Sequence, residues 1–98
     1  MTINEYFKLH EGKRLIPRVV CNDGFNVSIQ ANEYAYCEPR NNYGPWYMVE
    51  LGFPSETPSK AIMEYCENEE NPTDTVYGYV PVDIVDNFLT EHGGIKIA

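Results

Sequence analysis

Three cysteines and two histidines are the side chains of this chain best suited to chemistry, as nucleophiles, zinc ligands or proton carriers. Cys21, Cys37 and Cys66 lie 16 and 29 residues apart, and none belongs to a CxxC pair. Zinc knuckles and ribbons need close ligand pairs, so that one turn aims two ligands at the ion. His10 and His92 therefore do not complete a zinc site with these thiols. Odd in number, the cysteines are expected to be unpaired, metal-free and buried, as suits a reducing cytoplasm. Each histidine falls near the C-terminus of an expected helix, where the helix dipole favours a cation. No GxSxG, HExxH, GxxxxGK or GxGxxG occurs, and no spacing supports a Cys–His dyad. The expectation is a non-catalytic protein without metal or cofactor.

Carboxylates are the second chemical resource. The stretch 64-EYCENEENPTD-74 holds Glu64, Glu67, Glu69, Glu70 and Asp74 and no base. Glu67, Glu69 and Asp74 offer oxygens to calcium, but the DxDxDG rhythm is missing and Pro72 limits wrapping. Residues 1–49 balance Glu5, Glu11, Asp23, Glu33 and Glu38 against Lys8, Lys13, Arg14, Arg18 and Arg40. The whole net charge of −8 thus comes from residues 50–98, where only Lys60 and Lys96 oppose the acids. Direct nucleic-acid binding and docking on an anionic membrane both need clustered bases, so both are excluded. A basic protein surface is the partner this charge selects. Glu67, Glu69, Glu70 and Asp74 are expected to join Asp83, Asp86 and Glu91, on the polar face of the last helix, in one negative surface.

Aromatics are the third. The segment 34-YAYCEPRNNYGPWY-47 sets Tyr34, Tyr36, Tyr43, Trp46 and Tyr47 around a loop rich in Asn, Pro and Gly. Tyrosine and tryptophan anchor interfaces because they offer large amphipathic area at small entropic cost. Tyr43 and Trp46, flanking Gly44-Pro45, are expected to be exposed partner-binding residues, and Tyr47 to seal the core. A sugar-stacking platform would also use such rings, but no supporting carboxylate pattern accompanies them.

The elements that position these residues can be read from pattern. Thr2-Ile3-Asn4-Glu5 is a capping box opening a helix over 2–11, with Gly12 as its stop. Residues 18–31 read as a hairpin turning at Asn22-Asp23-Gly24, with Phe25, Val27, Ile29 and Ala31 on its buried face. A further extended stretch is expected at Tyr34–Cys37, and 38–45 must be loop. In the strand 46–53, Tyr47, Val49, Leu51 and Phe53 point one way. A short helix is expected from Thr57 as N-cap and Pro58 at N1 to near Cys66, carrying Ala61, Ile62 and Cys66 inward. Val80 ends a last strand from Thr75, with Gly78 marking a bulge or close packing. Pro81 opens the last helix, which carries Ile84, Val85, Phe88 and Leu89 inward and ends at Gly93-Gly94. This order predicts one α+β domain over 1–98, mainly an antiparallel sheet of about four strands with two or three short helices. The N-terminus has no apolar core of a signal peptide, and no apolar run is long enough to span a membrane.

In size, acidity and absence of catalytic motifs the chain resembles the small single-domain anti-CRISPR proteins of phages and mobile elements. That likeness implies an inhibitor acting in a host cytoplasm, as a nucleic-acid mimic in the basic cleft of a nucleic-acid-binding effector. It rests on no residue motif and assigns no residue. The competing reading is a small structural or regulatory module that forms a homodimer and uses its acids only for solubility.

Overall fold

The computed structural model describes residues 1–13 and 15–97. In chain order the elements are α1 (Ile3–Leu9), β1 (Val19–Val20), β2 (Asn26–Gln30), β3 (Met48–Gly52), α2 (Lys60–Met63), β4 (Val76–Pro81) and α3 (Val82–Glu91). All strand pairs are antiparallel and the order across the sheet is β1-β2-β3-β4. This is the small α+β fold expected from the pattern. No helix among the described residues is long and apolar enough to cross a membrane.

The capping box forms as read. Thr2 Oγ1 accepts from the Glu5 N–H at 3.2 Å, and Glu5 Oε1 accepts from the Thr2 N–H at 2.7 Å. The helix stops sooner than expected because the His10 N–H turns back to Phe7 O at 3.1 Å, tightening the last turn. In the hairpin Phe25, Val27, Ile29 and Ala31 are all buried, as their alternation requires.

Period two fails at both ends of β3. Val49 and Leu51 are buried, but Tyr47 is 69 % exposed and Phe53 is 47 % exposed. The strand starts at Met48, and just before it Glu38 O accepts from both the Tyr47 and the Met48 N–H, at 2.7 and 3.2 Å, so two residues oppose one and the alternation breaks there. Phe53 follows the strand with φ 52°, a left-handed turn that takes it out of the sheet. The stretch 34–37 is irregular rather than extended, and Glu38 alone bridges Met48.

The middle helix is also shorter than expected. Ser59, not Thr57, precedes it, and it ends at Met63 instead of near Cys66. It is one turn whose Ile62 is buried, while Ala61 is exposed and Cys66 bridges Tyr77 outside the helix. So short a helix is held by the packing of Ile62 rather than by propensity.

The irregularity expected at Gly78 is present. Val49 faces Val80 and Leu51 faces Tyr77, so Glu50 opposes both Gly78 and Tyr79. The extra residue lets Tyr77 and Val80 both face the core although they are three apart. A Cβ on Gly78 would lie 3.2 Å from Tyr36 Cβ, so a crossing loop needs the glycine there. At the end of α3 the Gly94 N–H bonds Leu89 O at 2.8 Å and the Gly93 N–H bonds Thr90 O at 2.9 Å. That is a Schellman cap, followed by buried Ile95, which bridges Cys21. The chain after α3 therefore borders β1, and α3 itself packs on β4, α2 and α1.

Candidate functional site

Loop 31–46 is held from within by asparagine side chains. Asn32 Oδ1 accepts from the Tyr34 and Ala35 N–H groups at 2.8 and 2.9 Å. Asn41 Oδ1 accepts from Tyr43 and Gly44 at 2.9 and 3.0 Å, and Asn42 Oδ1 from Glu33 at 3.0 Å. These short side chains replace backbone partners that irregular chain lacks. The Cys37 thiol donates to Asn32 O at 3.1 Å and closes the same loop.

The tryptophan expected to be exposed is not. Trp46 is 9 % exposed, donates Nε1–H to Asn41 O at 3.2 Å, and meets Phe7 edge-on with centroids 5.1 Å apart. The reason is its position before the strand, where Asn4 of α1 takes its backbone N–H and turns the ring to the helix. Tyr47, expected in the core, is the exposed member of that pair. Tyr43 is 84 % exposed, as expected, and Tyr34, a ring of the same segment with no local signal marking it as an anchor, is 82 % exposed. Both rings border an open groove of about 900 Å³ between the loop and α1, with Phe7 and Trp46 also lining it. Its rim carries both charge signs, Glu5, Glu11 and Glu33 with Lys8 and Lys13.

The acids are not brought together. Glu67, Glu69, Glu70 and Asp74 form one exposed loop at the start of β4. That loop is ordered from inside, where the buried Tyr77 hydroxyl donates to Pro72 O at 2.6 Å. Burial pushes the Tyr77 hydroxyl pKa well above its ordinary range. Asp83 lies beyond the other end of β4, roughly 20 Å away at ~3.3 Å per residue. Asp86 is half-buried and accepts from the Ile3 N–H at 2.8 Å, so it serves α1 rather than a surface. Burial raises its pKa, outweighing that hydrogen bond. Glu91 precedes His92, whose carbonyl accepts from the Asp23 N–H in the β1–β2 turn, at the sheet edge opposite β4. The expected continuous stripe is therefore three separate places. α3 begins where β4 ends and finishes on the β1–β2 turn, so it leaves β4 for the opposite edge of the sheet.

A second aromatic pair was legible only in part. Tyr36 stacks on Tyr79 with centroids 5.9 Å apart and an interplanar angle of 28°. Tyr79 reads as an ordinary strand residue, and only Gly78 beside it signals the bulge that turns it outward. The Tyr79 N–H donates to Tyr36 O at 3.0 Å, and Glu50 Oε1 accepts from the Tyr36 N–H at 3.0 Å.

The thiols and imidazoles have structural surroundings. Cys21 and Cys37 are buried, and Cys66 is half-buried. Desolvation pushes the Cys21 thiol up to about 11 and raises Cys37 as well, which opposes nucleophilic use. His92 Nδ1–H donates to Asp23 Oδ2 at 2.7 Å, and its ring stacks on Phe25 at 4.2 Å. Among the described residues no three His, Cys, Asp or Glu side chains gather where they would hold a metal ion.

This is a small α+β domain whose exposed features are loops and tyrosines. The chain matches no protein-family model, and no curated protein and no solved structure matches it.

Proposed function

We propose that this chain is a non-catalytic binding module that docks a protein partner through loop 31–46, with Tyr34 and Tyr43 as anchors. One observation carries the reading: both rings are more than four-fifths exposed while the backbone beneath each is fixed by an asparagine side chain. A loop already ordered spends little further entropy on binding, so the rings' contact area converts into residence time. The partner is basic. The groove's mixed rim fits by shape and aromatic contact, while loop 67–74 attracts the partner and selects its sign. Inhibition of a basic, nucleic-acid-binding effector, as in phage-borne anti-CRISPR proteins, is the form this charge favours, in a reducing cytoplasm that keeps the thiols free.

Affinity capture from native cells with wild type and with Tyr34→Ala/Tyr43→Ala tests it. The double variant is expected to melt like wild type and to lose a basic protein that wild type retains. An unchanged set of captured proteins, or wild type that elutes only as its own dimer, contradicts the reading.

A further inference from the structure

The stacked Tyr36–Tyr79 pair lies outside the groove and serves no core. Both rings are partly exposed, at 42 % and 40 %. The Glu67 carboxylate comes to the same spot: Oε2 would stand 3.6 Å, and Tyr36 Cβ 3.2 Å, from a Cβ placed on Gly78. The missing side chain of Gly78 thus lets an acid and two π faces meet at the start of the acidic loop. Glu67 has no ion-pair partner among the described residues, where the one pair is His92–Asp23. Arg40 Cζ lies 6.0 Å from the Tyr36 ring centroid, so Tyr36 is already approached by a guanidinium of the chain itself and Tyr79 is the ring of the stack that a partner would meet. Arg40 cannot leave to meet Glu67 without giving up its own bond from Nε–H to Ala35 O at 3.2 Å.

We infer that the Tyr36–Tyr79 stack with Glu67 at its edge is a docking point for an arginine side chain of a basic protein partner. The inference rests on the proposed function and names the partner's chemistry at a second contact. Three features select arginine. An aromatic face attracts a cation, a planar guanidinium stacks on it, and the same group can bond a carboxylate through two N–H groups while stacked. Lysine, a compact and strongly hydrated charge, gains less from the ring. A phosphate-bearing ligand is repelled by Glu67, Glu69 and Glu70. The remaining acids of loop 67–74 raise the local concentration of a basic segment, and the stack then fixes one of its side chains.

The test uses isotope-labelled protein titrated with an octa-arginine peptide, followed by nuclear magnetic resonance. Octa-lysine and spermine are parallel arms. Saturable shifts are expected at Tyr36, Glu67, Gly78 and Tyr79, with octa-lysine about two- to fivefold weaker than octa-arginine. Tyr79→Asn should weaken octa-arginine by a similar factor of about two to five and leave the fold intact, since asparagine tolerates the φ of 55° found there. Glu67→Gln should weaken it as well. Equal response to all three probes, or shifts spread over every acid and indifferent to both substitutions, would overturn the inference. If that happens while Tyr34→Ala/Tyr43→Ala still abolishes partner capture, the docking point is lost and the proposed function stands.

Discussion

Asn4 and Trp46 exchange two hydrogen bonds: Asn4 Nδ2–H donates to Trp46 O at 3.0 Å, and the Trp46 N–H donates to Asn4 Oδ1 at 2.9 Å. One amide side chain on α1 thus stands in for a strand partner and fastens the tyrosine-bearing loop to the helix. The groove lies between the two elements that this clasp joins, and both residues line it.

Removing the clasp strands two backbone groups beside a buried indole. Asn4→Ala is expected to cost about 1–3 kcal/mol, the penalty of unpaired part-buried polar groups. Thermal unfolding measures the loss, and amide exchange should rise at Trp46. Unchanged stability would mean that water replaces the amide without cost.

Gly44→Ala should act on the same joint from the other side. A Cβ there would sit 2.6 Å from Trp46 Cε3, at a φ of 63° that side chains rarely adopt. Overpacking of this kind costs about 1–3 kcal/mol. The variant should melt lower and show more exposed tryptophan fluorescence.

How far the sequence speaks is clear at this joint. The capping box, the hairpin, the bulge glycine and the Schellman cap are local patterns, and each appears where local chemistry puts it. Trp46 and Tyr47 exchange the places that alternation predicts for them, because the strand begins only after them. Which ring turns in depends on Asn4, forty-two residues away, together with Phe7 and Asn41. The dispersal of the acids was hidden for the same reason. Nothing near Glu91 in sequence says that α3 ends on the β1–β2 turn, or that Asp86 bonds the first helical N–H of the chain. Only 38–45 of loop 31–46 reads as a loop, since 34–37 patterns as extended chain, and the order of the whole depends on Asn32, Asn41 and Asn42, whose turn-forming role looks the same in a loose loop.

Two acids should give opposite pH signatures. The Phe25 N–H and then the His92 N–H hold Asp23 below its ordinary 3.8, so its contribution is present above that value and lost as pH falls through its folded pKa. Burial raises Asp86, so its contribution is full below 3.8 and declines as pH rises through its folded pKa. Asp23→Asn should flatten the acid limb of the stability curve. Asp86→Asn keeps an acceptor for the Ile3 N–H without the buried charge, and should be at least as stable as wild type at pH 7. Chemical denaturation across pH reads both, and a marked loss in Asp86→Asn at neutral pH would refute the burial argument.

Thiol chemistry should follow burial. Cys66, the half-buried cysteine, is expected to react with a maleimide first, and Cys21 and Cys37 only as the domain opens. Mass spectrometry of partly labelled protein assigns the order, and labelling after unfolding without reductant should find all three.

The central claim, that loop 31–46 meets a protein partner, is tested most directly by placing a photo-crosslinking amino acid at position 43. A control carries it at Glu56, beside Ser55, whose N–H bonds Asn26 O at the opposite end of β2. After irradiation in native cells, position 43 is predicted to yield an adduct with one basic protein, and position 56 none. No adduct from position 43, the same adduct from both positions, or an adduct only with a second copy of the chain would contradict the account.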